Sequence, residues 1–186
     1  MGIATYYGSL KDITTIKIVS IAALALAVSS CASVDTFLNK ADATDSPTAT
    51  TQSINADKGL VTLQSNHSVQ YTADKLISMI ESKGMTVFAR VDHQKNAQSA
   101  GLLLRPAQVV MFGNPKAGTP LMNCEQTVAI DLPQKILISE DANKKVWLSY
   151  NNPEYLKTRH NIKGCDTVID NVSKALNAIS TAAVAK

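Results

Sequence analysis

Apolar side chains are distributed along this chain in two different ways. Residues 18–28 (IVSIAALALAV) form one unbroken stretch of apolar or small side chains, whereas from residue 59 onward apolar positions recur in short periodic sets. In the second region Val61 and Leu63 alternate with Leu60, Thr62 and Gln64, which predicts a strand. Ser68 is placed to cap a helix whose stripe is Val69, Ala73, Leu76, Ile77 and Ile80, and Gly84 stands where a left-handed C-terminal cap is wanted. Residues 85–91 predict a strand, 93–100 a helical turn or short helix ending at Gly101, and 108–112 a buried strand followed by a loop over 113–120. Two further strands are predicted at 126–131 and 135–140, separated by Leu132-Pro133. A turn at Asp141-Ala142-Asn143 leads into a returning strand over 146–150. Asn152-Pro153 opens a short helix to His160, and Ile169, Val172, Leu176, Ile179 and Ala183 mark a long amphipathic helix with Asp166 near its start. The order is strand, helix, several mostly antiparallel strands, helix. It predicts an α+β domain with a curved sheet and two main helices on one face.

The apolar run at 18–28 is shorter than the roughly 20 residues a membrane-spanning helix needs. With Lys11 and Lys17 before it, it has the length and flank of a signal-peptide core. Val28-Ser29-Ser30-Cys31 follows and resembles the lipobox of bacterial lipoproteins, in which the cysteine is lipidated and becomes the new N-terminus. Ala32 after Cys31 then implies an outer-membrane anchor facing the periplasm; an ordinary cleaved signal is the alternative. Residues 32–57 are rich in Ala, Ser, Thr, Asp and Asn, too poor in large apolar groups to offset the entropy of ordering. The division expected is a signal peptide over 1–30, a lipid-anchored flexible tether over 31–57 and one folded domain over 58–186.

Composition narrows the function classes. The 186 residues carry 18 Lys and Arg against 15 Asp and Glu, so no basic excess points to nucleic acid. No motif calls for a cofactor. Gly113-Asn-Pro-Lys-Ala-Gly118-Thr119 has P-loop glycine spacing, but Thr119 stands in place of the essential lysine and Pro115 removes an amide. The segment reads as a rigid turn, or as an anion or small-ligand loop served by Lys116 and Arg105. His93 beside Asp92 is placed to cap a helix, to act as a general base or to bind a metal. His67 and His160 add no zinc spacing, and Met111 and Met122 read as core before soft ligands. Arg105, read as buried, needs a partner, with Asp131 and Asp92 the candidates. Trp147 and Tyr150 differ by three positions on one strand and so face opposite sides.

Gly101-Leu-Leu-Leu-Arg105-Pro106 and Phe112-Gly-Asn-Pro-Lys-Ala-Gly-Thr-Pro-Leu-Met122 resemble the domain of unknown function 302 family. Asp92-His93, Asp131-Leu132-Pro133 and Tyr150 to Pro153 resemble it as well. The resemblance implies a single-layer antiparallel sheet with two helices, similar to the TATA-binding-protein-like fold, often dimeric, and it implies no activity. Cys124 departs from the family's pattern, and Cys165 supplies a second thiol. If Cys31 carries lipid, these two remain for a structural disulfide in an oxidising compartment, with free thiols or a redox pair as alternatives.

Three functional readings follow. The first is a lipid-anchored, non-enzymatic periplasmic domain that binds a small ligand or an envelope protein, with a homodimer through the sheet as a further partner. The second is a metal- or small-anion-dependent enzyme using His93, Arg105 and Asp131 around the 113–120 loop. The third is an envelope structural protein. The side chains able to meet a ligand are His93, Arg105, Asn114, Lys116, Thr119, Asp131 and Tyr150.

Overall fold

The structure is a computed structural model that describes residues 52–55 and 58–186. The expected signal peptide, Cys31 and the tether as far as residue 51 lie outside the described residues. Six strands form one fully antiparallel sheet. In chain order the elements are β1 (Gln52–Asn55), β2 (Leu60–Ser65), α1 (Val69–Ser82), β3 (Thr86–Asp92), α2 (His93–Ser99), β4 (Ala107–Gly113) and α3 (Pro115–Cys124). A 3-10 segment (Gln126–Asp131) then leads to β5 (Gln134–Glu140), β6 (Val146–Asn151), α4 (Pro153–Arg159) and α5 (Asp166–Val184). Across the sheet the strands run β1-β2-β6-β5-β4-β3.

The α+β class and the strand patterns match the sequence reading. Val61 and Leu63, Val110 and Phe112, Ile136 and Ile138, and Leu148 and Tyr150 point to one face and are buried there. Leu76 and Ile80 of α1 and Leu176 and Ile179 of α5 cover them. The period of two in the strands and of 3.6 in the helices thus meet in one core. Ser68 caps α1, its hydroxyl accepting from the Tyr71 amide at 3.2 Å, and Gly84 takes the left-handed conformation at φ 68° just past the helix. Trp147 and Tyr150 do face opposite sides: Tyr150 is buried, while the Trp147 indole donates to Asp141 at 2.9 Å.

Three expectations are corrected. Residues 52–55, expected to be tether, instead pair with β2 as an edge strand, which a scan for large apolar side chains does not detect. The loop over 113–120 is mostly helix: Asn114 caps α3 by accepting from the Lys116 amide at 2.9 Å, and Pro115 takes the first helical position, where its missing N–H costs nothing. Residues 126–131 are not a strand. Their period-two pattern puts Val128 and Ile130 on one face, yet Val128 is fully buried while Ile130 is 74% exposed in the 3-10 turn. The two main helices expected are α1 and α5, the longest among the described residues.

Burial pushes the Tyr150 phenol up to about 12. The unfolded chain, with tyrosine near 10, then loses its proton first, so this contribution is intact below about pH 10 and is lost as pH rises toward 12. Unfolding free energies from urea titrations across that window fall for the wild type by about 1.4 kcal/mol per pH unit from this group, and Tyr150→Phe flattens the slope. An unchanged slope in the variant would assign the alkaline loss elsewhere.

Candidate functional site

The sheet has two ends with different chemistry. At one end β3 passes into α2 and the segment before β4 arrives. At the other, β4 ends at Gly113, β5 begins at Gln134 opposite Phe112, and α3 starts. At this second end lies a cavity of about 800 Å³. Its floor is Phe112, Gly113, Leu132 and Pro133; one wall is Leu121 and Met122 of α3, and the facing wall is Val168, Val172, Ala175, Leu176 and Ile179 of α5. Lys83, Met85 and Phe88 complete the lining. A β-bulge between Val87 and Ala89 displaces Phe88 from the regular pleat, and its ring approaches Gly113 so closely that a Cβ there would stand 3.2 Å away.

The polar members of the lining are Lys83, Asn114, Lys116, Thr119, Gln134 and Asn171; it contains no Asp, Glu, His or Arg. The Asn114 oxygen is engaged in capping α3.

The walls are held from behind. Cys124 at the end of α3 is disulfide-bonded to Cys165, the residue before α5, with 6.4 Å between their Cα atoms. This is the pairing expected for the two thiols. Leu121, Val128, Ile162, Cys165 and Ile169 form a second, smaller core around it. The segment that delivers Leu132 and Pro133 is clamped by Asp131. One carboxylate oxygen lies 2.6 Å from His160 Nε2 and the other 3.4 Å from Arg159 Nη1. Lys135 Nζ donates to the Asp131 and Pro133 carbonyls at 2.9 and 3.1 Å, and the Leu132-Pro133 peptide is cis.

Thr127 Oγ1 stands 3.2 Å from His160 Nδ1, so hydroxyl, imidazole and carboxylate are linked in series. That series is a tie rather than a nucleophile relay, because the Thr127 hydroxyl donates to Glu125 Oε1 at 2.7 Å. This bond, with the Thr127 amide also donating to Glu125, holds the Glu125 carboxyl below its usual range. Neither Thr127 nor His160 lines the cavity.

Of the residues expected to meet a ligand, the structure brings Asn114, Lys116 and Thr119 together at the cavity. It does not assemble His93, Arg105 and Asp131. His93 begins α2 at the far end, and β4, about 20 Å long, separates that end from the Asp131 segment. His93 is exposed, and Asp92 rather than His93 caps α2, accepting from the Lys95 amide at 2.9 Å. Arg105 is exposed, not buried, and donates to the Glu140 carbonyl at 3.2 Å; Asp92 and Asp131 have other partners. The leucines before it are exposed as well, Leu103 completely. Tyr150 belongs to the core. Sequence reasoning missed Lys83, Phe88, Asn171 and the α5 wall; the α5 stripe was visible, but nothing in its period separates core positions from cavity positions.

Comparison with known proteins bears on the whole domain. The chain is 46% identical over 106 residues to fluoride-specific ion channel FluC 1 of Brucella suis biovar 1 (strain 1330). The match takes 57% of this chain and 42% of that protein. It has the same identity over the same length to fluoride-specific ion channel FluC 2 of Brucella melitensis biotype 1, there 39% of the relative. The chain therefore spans about two fifths of these relatives, and no helix among the described residues is long and apolar enough to cross a membrane. The crystal structure of an uncharacterized conserved DUF302 protein from Bacillus stearothermophilus superposes with a TM-score of 0.62 at 18% identity. It covers 67% of this chain and 98% of that one, a likeness of fold. With a family model matching residues 61–179, most of the folded region, the chain belongs to the family described as domain of unknown function DUF302.

Proposed function

We propose that this protein is a ligand-binding module of the bacterial cell envelope, held by a lipid on Cys31 at the outer membrane and facing the periplasm, which seats a small ligand in the cavity between α3, α5 and the sheet end. The observation that carries the reading is the cavity itself: about 800 Å³, mostly apolar, with a few polar groups, the usual make-up of a small-molecule site. A lining whose only titratable side chains are two lysines lacks the His and carboxylate groups that most often serve as acid and base, which favours binding over catalysis. The signal-like run, the lipobox-like Val28-Ser29-Ser30-Cys31 and the Cys124–Cys165 bond all support an exported, oxidising location. The order of strands and helices supports the TATA-binding-protein-like likeness.

Native mass spectrometry of the full chain purified from membranes tests this. It should show lipid mass on Cys31 and a small ligand retained by the wild type but absent from Ala175→Trp, whose indole fills the space between the walls. Equal retention by a folded Ala175→Trp would place the ligand elsewhere and sink the reading. The Brucella relatives favour a second reading, in which the same rim takes an inorganic anion such as fluoride. Calorimetric titration with sodium fluoride separates the two: heat that Lys116→Gln abolishes belongs to the second.

A further inference from the structure

We infer that the ligand of this cavity is an anionic amphiphile: an alkyl body between α3 and α5, with a single negatively charged head at Lys83 and Lys116. The inference rests on the binding reading above and adds the chemical class. It starts from a charge asymmetry. Lys83 and Lys116 are the only charged residues of the lining, and no carboxylate is there to neutralise them. Neither ammonium makes a hydrogen bond or ion pair among the described residues.

The two lysines come from different elements. Lys83 closes α1, and Lys116 lies in the first turn of α3. Two like charges in the lining of one cavity, with no carboxylate beside them, raise the local potential, so an anion is favoured there and a cation disfavoured. Thr119 and Asn171 add a hydroxyl and an amide, neither spent on a side-chain hydrogen bond among the described residues.

Deeper in, the chemistry changes. Phe112, Leu121, Leu132, Val172 and Leu176 offer no polar atom, so a sugar or peptide body would leave hydroxyls or amides unpaired. An alkyl chain has nothing to leave unpaired. Met85 and Met122, with flexible unbranched side chains, adapt to such a body better than rigid walls would. Carboxylate and phosphate heads share the chemistry the lysines recognise, so a fatty acid and a phosphate-headed lipid are two sources of one ligand class.

Four probes with one tail test this on the full chain, below their aggregation concentrations: dodecanoate, dodecyl phosphate, dodecanol and dodecyltrimethylammonium. At least one of the two anions should bind about tenfold or more tighter than dodecanol, and the cation should bind weakest. The tighter anion identifies the source. Lys83→Gln with Lys116→Gln, both exposed substitutions, should remove that advantage and leave dodecanol binding unchanged. Dodecanol binding as tightly as both anions, or an equal loss for dodecanol in the double variant, would overturn the anionic assignment while leaving the cavity as a binding site. Binding of none of the probes, or equal binding by folded Ala175→Trp, would overturn the binding reading and this inference together.

Discussion

Removing the Cys124–Cys165 bond, by reduction or by Cys124→Ala with Cys165→Ala, lowers the stability of the folded domain by about 4 kcal/mol. The bond joins residues 41 apart, and closing a loop of that length withdraws this much conformational freedom from the unfolded chain in the loop-entropy account. The effect has a second, local part. Cys124 ends α3, Cys165 precedes α5, and these helices are the facing walls of the cavity. Without the bond, the walls are held together by the small core of Leu121, Val128, Ile162 and Ile169. Chemical unfolding under oxidising and reducing conditions measures the first part, and dodecanoate binding under the same conditions measures the second. Identical midpoints in both conditions would show that the crosslink contributes no stability.

Phe112→Ala has an effect of similar size for a different reason. Phe112 is 2% exposed on β4, next to the edge strand β3, packed in the main core and also lining the cavity. Truncation removes a buried aromatic ring and leaves a void, which costs about 3–5 kcal/mol. Where the void opens decides the functional result. If it joins the cavity, the floor deepens and the preferred alkyl chain lengthens, so binding of a series of carboxylates from eight to about sixteen carbons should shift its optimum upward. Thermal or urea unfolding gives the stability loss, and a loss below about 1 kcal/mol would mean that the neighbouring side chains collapse into the space.

Much of the fold was legible because its signals act over three or four residues. Ser68 before the Val69 stripe, Gly84 after it and Asn152-Pro153 before α4 each act through one cap or one backbone conformation. Alternation in β2, β4 and β6 was equally plain, because one face of each strand is buried along its length. Where the reading failed, the local signal had two meanings. Asn114-Pro115 starts a turn or caps a helix with the same chemistry, and the neighbouring glycines favour a turn. In the structure, contact of α3 with α5 and with the 3-10 segment settles it as helix. Residues 52–55 became a strand because β2 offered an unpaired edge, and Val128 and Ile130 were separated by the packing around Val128.

The candidate site divides along the same line. Asn114, Lys116 and Thr119 could be singled out in the sequence, because they sit in one short, unusual segment. The pairing of the two cysteines could also be anticipated, since the remaining thiols were few. Which lysine shares the cavity lining with Lys116, that α5 supplies a wall of it, and that Asp131 meets His160 instead of Arg105 are decided by tertiary structure alone. The physical reason is range. A cap or a strand alternation is an interaction between near neighbours in the chain, whereas the cavity is a gap left between surfaces whose residues are separated by up to about 100 positions. Its shape and charge exist only after the core has placed α1, α3 and α5 around the sheet end.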